Sequence, residues 1–244
     1  MIVTLLQQGL SAQEIIYLVL IMLFAMTLSF AFHEFMHAAV AVWLGDETPR
    51  NMGRLTLNPI AHIDPWGAIL LLVAGFGWGK PVMYNPNRLK RFKSLRLMNI
   101  MVHLAGVTGN FIIALVANIF ALLFMGLTIR FTNMATVFNA MYDLFSYTRF
   151  FSLMLLAFNL LPIPPLDGFH VVEELLPVKV RYSNGYRKFQ QFAPMIIFIV
   201  FLSSRFTNIP ILSVLIELIQ VPFAWLIDLI STPFYFLLQM TGLL

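Results

Sequence analysis

The sequence predicts an all-α polytopic membrane protein. It is expected to have five to six transmembrane helices and a short re-entrant or strand-like segment near the cytoplasmic side. Composition is the first reason: 60% of the 244 residues are hydrophobic and only 11% are charged. Soluble domains average about 45–50% apolar and about 25% charged residues, so a soluble globule could not cover its surface with so few charges. The second reason is a series of long apolar runs, and the third is the confinement of basic residues to the loops between them. With 24 Phe the chain is far from a disordered composition. Without Cys it has neither disulfides nor thiolate metal sites. The net charge of +4 needs no nucleic acid to explain it, because membrane topology places the positives in loops. The expected surroundings are a lipid bilayer.

The first apolar run, Glu14 to Leu44, has no proline or glycine and predicts one helix long enough to cross the hydrocarbon with excess. No Lys or Arg precedes it, and it extends well past the h-region of a signal peptide, so a cleaved leader is not expected. A polar connector, Gly45 to Pro65, follows. The short apolar stretch Trp66–Trp78 holds three glycines and is expected to dip into the membrane and return. Further runs lie at about Leu97–Leu127, Val137–Leu161, Phe192–Leu202 and Ile209–Met240. Arg205, Asn208, Pro210 and Pro222 are expected to break the last two. The chain reads as one domain over 1–244, with a core at about 12–176 and C-terminal helices at about 188–244.

Lys80, Arg88, Lys90, Arg91, Lys93 and Arg96 occupy one loop without an acidic residue. That bias predicts a cytoplasmic loop. The Leu97–Leu127 helix then leaves the cytoplasm and the Val137–Leu161 helix returns to it. The LPIPPLDG stretch and the later part of the first helix thus arrive at similar depth on one side.

The sharpest motif is HEFMH, His33 to His37, inside the first apolar helix. Histidines at i and i+4 share a helix face and can bind one zinc ion. Glu34 falls on the same side, where it can act as general base toward water. Ionisable groups at membrane depth are costly, which favours function over a chance match. A catalytic zinc site takes a third protein ligand. Candidates are Asp64, His62, His103, Asp167, His170, Glu173 and Glu174. Asp167 is best placed, after three prolines that fix φ and before Gly168, expected to free the chain. His103, Gly106 and Asn110 share one helical face, and Gly106 and Gly109 suit close helix approach.

HEFMH in an apolar helix, followed by GRLTLNPIAHIDPWG, GWGKPVMYNP, AGVTGN and NLLPIPPLDG, resembles the site-2 protease family of intramembrane zinc metalloproteases. The resemblance spans Phe32 to Gly168. It implies a compact member of the family, without PDZ or nucleotide-binding modules. It further implies His33, His37 and Asp167 as ligands of one Zn2+ per chain, with Glu34 as the catalytic base. Asn159 corresponds to the family's substrate-positioning asparagine. Asn110 takes the place of the asparagine in its AGPxxN helix and is expected among the substrate-binding residues, with Val107 where that pattern has proline. The implied activity is hydrolysis of peptide bonds in or near transmembrane segments of protein substrates.

A helical substrate hides its carbonyls in i→i−4 bonds and must unwind before cleavage. The Gly75–Tyr84 segment, with Gly79, Lys80 and Pro81, is expected to offer that stretch a strand edge. His103 is expected to act behind the ligands. Three rivals use the same residues otherwise: a membrane zincin with Glu173 or Glu174 as third ligand, a metal-dependent transporter, and a pseudoenzyme that binds helices without cutting them.

Overall fold

The computed structural model describes residues 9–74, 77–207 and 211–244. Helix α1, Ala12–Trp43, starts at a capping box: the Ser11 hydroxyl accepts from the Glu14 amide, and the Glu14 carboxylate accepts from the Ser11 amide. It ends where Gly45 takes a φ of 114°, a conformation glycine adopts without strain. A short helix α2, Thr48–Asn51, lies in the connector that follows. Helix α3, Pro65–Ala74, is capped by Asp64, whose carboxylate accepts from the Trp66 and Gly67 amides at 3.0 Å each. That is the role of Asp64, one of the candidate ligands.

After α3 the chain returns beside its own start. A Cβ on Gly67 would collide with the Trp78 carbonyl, and Gly79 forms an isolated antiparallel bridge with Ile63. Among the described residues this bridge is the whole of the β-structure. The segment expected to carry a strand edge is therefore extended but unpaired beyond that point, and Gly75 lies outside the described residues.

Helix α4, Leu95–Arg130, is capped by Ser94, whose hydroxyl accepts from the Leu97 amide. Then come α5, Ala135–Asn159; α6, Asp167–Leu175; α7, Val178–Arg181; α8, Asn184–Thr207; and α9, Ile211–Met240. Among the described residues, α1, α4 and α9 are long and apolar enough to cross a membrane. Pro222 was expected to interrupt the last run, yet α9 passes through both Pro222 and Pro233. Apolar helices tolerate such prolines where neighbouring groups satisfy the freed backbone. The expected break at Asn208 and Pro210 lies outside the described residues.

Helix α4 is the central post and contacts α1, α5, α6 and α9. Small residues let these helices approach: Ala114, Ala117 and Ala121 of α4 and Ala25, Ala31, Ala38 and Ala41 of α1 are buried. Apolar packing is joined by polar ties between helices. The Ser152 hydroxyl donates to Ser29 at 2.8 Å, and Ser29 donates to the Ala25 carbonyl. Arg149 pairs with Asp228 at 2.8 Å, joining α5 to α9. Tyr17 donates to Asp143, and Asn118 to Ser231.

The connectors are anchored on the end of α1. Asp46, with no exposed surface, accepts from the Thr48 hydroxyl at 2.6 Å, the Thr48 amide at 3.0 Å and the Asn85 amide at 2.5 Å. These bonds hold its carboxyl below the usual carboxylate range, although burial alone would raise it. The Leu44 carbonyl accepts from the Lys90 and Arg91 amides, and the Arg91 guanidinium lies 4.3 Å over the Trp43 ring. The loop rich in basic residues is thereby held against the end of α1 that carries HEFMH.

Candidate metal centre

His33 and His37 project from adjacent turns of α1, and Asp167 opens α6. Their ligand atoms converge: Nε2 of His33 and Nε2 of His37 are 3.1 Å apart, and Oδ2 of Asp167 lies 3.4 Å from the first and 3.3 Å from the second. Tetrahedral zinc with bonds of about 2.0–2.1 Å spaces its ligands about 3.3–3.4 Å apart. The observed triangle fits that spacing. Both histidines are buried, and Oδ2 of Asp167 is buried without accepting a hydrogen bond. Three potential ligand atoms meeting in one buried place, one of them an unpartnered carboxylate oxygen, suit a shared cation. Two imidazoles and one carboxylate are a donor set that suits zinc.

Helix α4 makes this convergence possible at Gly106. A Cβ at that position would collide with Nε2 of His37 and Cε1 of His33, and would stand 2.6 Å from Nδ1 of His33. At Gly109 it would press on Met36. The close approach expected of these two glycines is present. Gly168 has a different part from the one expected. Its φ is not positive, and a Cβ there would collide with the Leu160 carbonyl. Gly168 thus lets α6 start directly against the end of α5, which sets the position of Asp167.

The carboxylate of Glu34 is buried beside the triad, and its Oε2 accepts from the Val82 amide at 2.9 Å. The extended segment therefore runs past Glu34. Within it, Gly79 bridges to Ile63, the Lys80 amide donates to the His62 carbonyl at 2.7 Å, and the Lys80 and Pro81 side chains are exposed. Asn159, at the end of α5, donates one amide hydrogen to the Leu155 carbonyl.

The remaining candidate ligands are engaged elsewhere. Glu173 accepts from Gln190 and pairs with His170. Glu174 accepts from Asn99 at 2.8 Å and faces Arg181. His62 is bonded to the Thr56 carbonyl. His103 bonds the Tyr84 hydroxyl at 3.0 Å and stacks on His170, at the margin of the centre.

Asn110 has no exposed surface and stands 3.2 Å from Nδ1 of His33, on the side away from the triad. The partners that sequence reasoning missed are mostly backbone: the Val102 carbonyl, 2.7 Å from Nδ1 of His37, and the Val82 amide. Val102 lies one helical step before Gly106 on the stripe that ends at Asn110, so its place was available from spacing alone. Asp46 carried no motif, and Tyr84 lay within the GWGKPVMYNP stretch without a role of its own.

Comparison with known proteins gives the family. The model of peptidase family M50 matches residues 21–204. A stretch of 153 residues, 63% of this chain and 68% of the relative, is 44% identical to "Putative zinc metalloprotease YwhC" of Bacillus subtilis. Two proteins named "Putative zinc metalloprotease Rip2" also match. The one from Mycolicibacterium smegmatis is 32% identical over 60% of this chain and 53% of its own length. The one from Mycobacterium tuberculosis is 30% identical over 72% of this chain and 64% of its own length. No solved structure matches. With the family model covering three quarters of the sequence, the chain belongs to peptidase family M50, the site-2 protease family of membrane zinc metalloproteases.

Proposed function

We propose that this chain hydrolyses peptide bonds in or near the transmembrane segments of other membrane proteins, with His33, His37 and Asp167 holding one zinc ion. The observation that carries this reading is the convergence of three potential metal ligands in one buried place, with one carboxylate oxygen left without a hydrogen bond. When bound, zinc acidifies water and polarises a carbonyl. Glu34 takes the proton from the attacking water and delivers it to the leaving amine. The Val82 amide fixes one oxygen of Glu34 and leaves the other for that exchange. Asn159 uses one of its two amide hydrogens within its own helix and offers the second to a substrate oxygen. The substrate unwinds and lies extended beside Gly79, Lys80 and Pro81, whose backbone passes Glu34.

In this reading α5, 25 residues long, crosses the membrane with α1, α4 and α9, α8 makes the fifth span, and α3 with the segment after it forms the re-entrant element. The membrane in this reading is the cell membrane, and the basic loop tied to the end of α1 supports a centre that faces the cytoplasm. The engagement of Glu173 and Glu174 with other partners disfavours either as third ligand.

Glu34→Gln tests the chemistry, because the amide keeps the shape but cannot take the proton. The purified variant should hold zinc as the wild type does and still capture a single-span substrate in liposomes, with cleavage reduced about 10²–10⁴-fold. Cleavage at the wild-type rate would overturn the role of Glu34.

A further inference from the structure

The side-chain orientation of Asn110 can be decided from its neighbours. Nδ1 of His37 stands 2.7 Å from the Val102 carbonyl, which can only accept. His37 therefore carries its proton on Nδ1 and turns the Nε2 lone pair toward His33 and Asp167. His33 must do the same to present its own Nε2, so its Nδ1 must also donate. The side-chain atom of Asn110 3.2 Å from Nδ1 is placed as Nδ2, while Oδ1 is buried without a partner. Two donors cannot bond each other. Oxygen and nitrogen of an amide are interchangeable in outline, and the hydrogen-bond network decides between them. Turning the amide puts Oδ1 against the Nδ1 proton.

We infer that Asn110 is a positioning residue for the metal: its carbonyl oxygen accepts from Nδ1 of His33 and holds that ring in the tautomer that presents Nε2. Helix α4 thus carries a three-step stripe matched to the histidines of α1. Val102 fixes His37, Gly106 makes room for both rings, and Asn110 fixes His33, at spacings of four residues on both helices. This places Asn110 behind a ligand rather than against the substrate, as its complete burial also requires. Partners of this kind are worth about 10–100-fold in metal affinity.

The inference rests on the zinc reading, and the experiment separates the two. Zinc affinity of the purified full chain is measured by competition with a chromophoric chelator for wild type, His33→Ala, Asn110→Leu and Asn110→Asp. Leucine keeps the volume without an acceptor, whereas aspartate keeps the acceptor. Asn110→Leu should weaken zinc about 10-fold or more, and Asn110→Asp should stay within about threefold of wild type. Equal weakening in both variants, which a purely structural role would give, overturns the inference. Wild-type affinity in Asn110→Leu, while His33→Ala loses zinc, overturns it as well and leaves the metal centre standing. Zinc binding unaffected by His33→Ala would instead remove the centre itself.

Discussion

Two aspartates, one in the connector after α1 and one at the start of α6, show how the same group can serve opposite ends. Asp46 accepts three hydrogen bonds from Thr48 and Asn85, so its charge is answered within the chain. Asp167 is buried with an oxygen that accepts none, facing two imidazole nitrogens that offer lone pairs. Polar groups at helix contacts elsewhere resemble Asp46: Ser152, Ser29 and the Ala25 carbonyl form a closed chain of donors and acceptors. Burial of polar groups alone therefore does not mark the site. What marks it is the convergence of three potential metal ligands, one of them an unpartnered carboxylate oxygen.

Substitutions can break or sharpen this contrast. The largest effect is expected at Gly106, where an added methyl group displaces both histidines. Gly106→Ala should lose zinc on elemental analysis and reduce cleavage about 100-fold, as a ring shift of about 1 Å would. Unchanged zinc content would show that the helix can yield.

Asp46→Asn should leave zinc in place and cost about 1.5–3 kcal/mol of stability, the scale of hydrogen bonds to a charged group. The folded-state pKa of Asp46 lies below its unfolded value of about 3.9. Its stabilisation is thus fully present above that value and fades as pH falls through the lower folded value. Thermal melting in detergent should show the gap between wild type and variant closing as pH drops below about 4. A gap independent of pH would contradict the assignment. The smallest effect belongs to Ser152→Ala, about 0.6 kcal/mol as for interhelical bonds in membranes, with zinc and cleavage unchanged in the same assays.

Much of this was legible in the sequence, and the limits have physical causes. The apolar runs located α1 and α4 because a helix that can cross a membrane must be apolar along its length, and that signal survives without tertiary context. HEFMH and LDG announced three side chains that the structure brings together, since i, i+4 spacing already fixes two of them on one face. Pro222 misled because a proline breaks an isolated helix but not one supported by neighbours. Gly168 suggested conformational freedom and instead supplied a close approach to Leu160. Asn110 could be placed on the right face, but only the burial of its amide and its distance from His33 distinguish a ligand's partner from a substrate contact. Val102 and Val82 act through backbone atoms, which leave no trace in residue type.

The central claim is that Asp167, and no glutamate of α6, completes a zinc centre with His33 and His37. Zinc per chain by elemental analysis, in folded Asp167→Ala beside Glu174→Ala, tests it most directly. The account predicts about one zinc in wild type and Glu174→Ala and a strong loss in Asp167→Ala, where two histidines are left alone. Full zinc in Asp167→Ala with loss in Glu174→Ala would contradict it and transfer the third ligand to the glutamate.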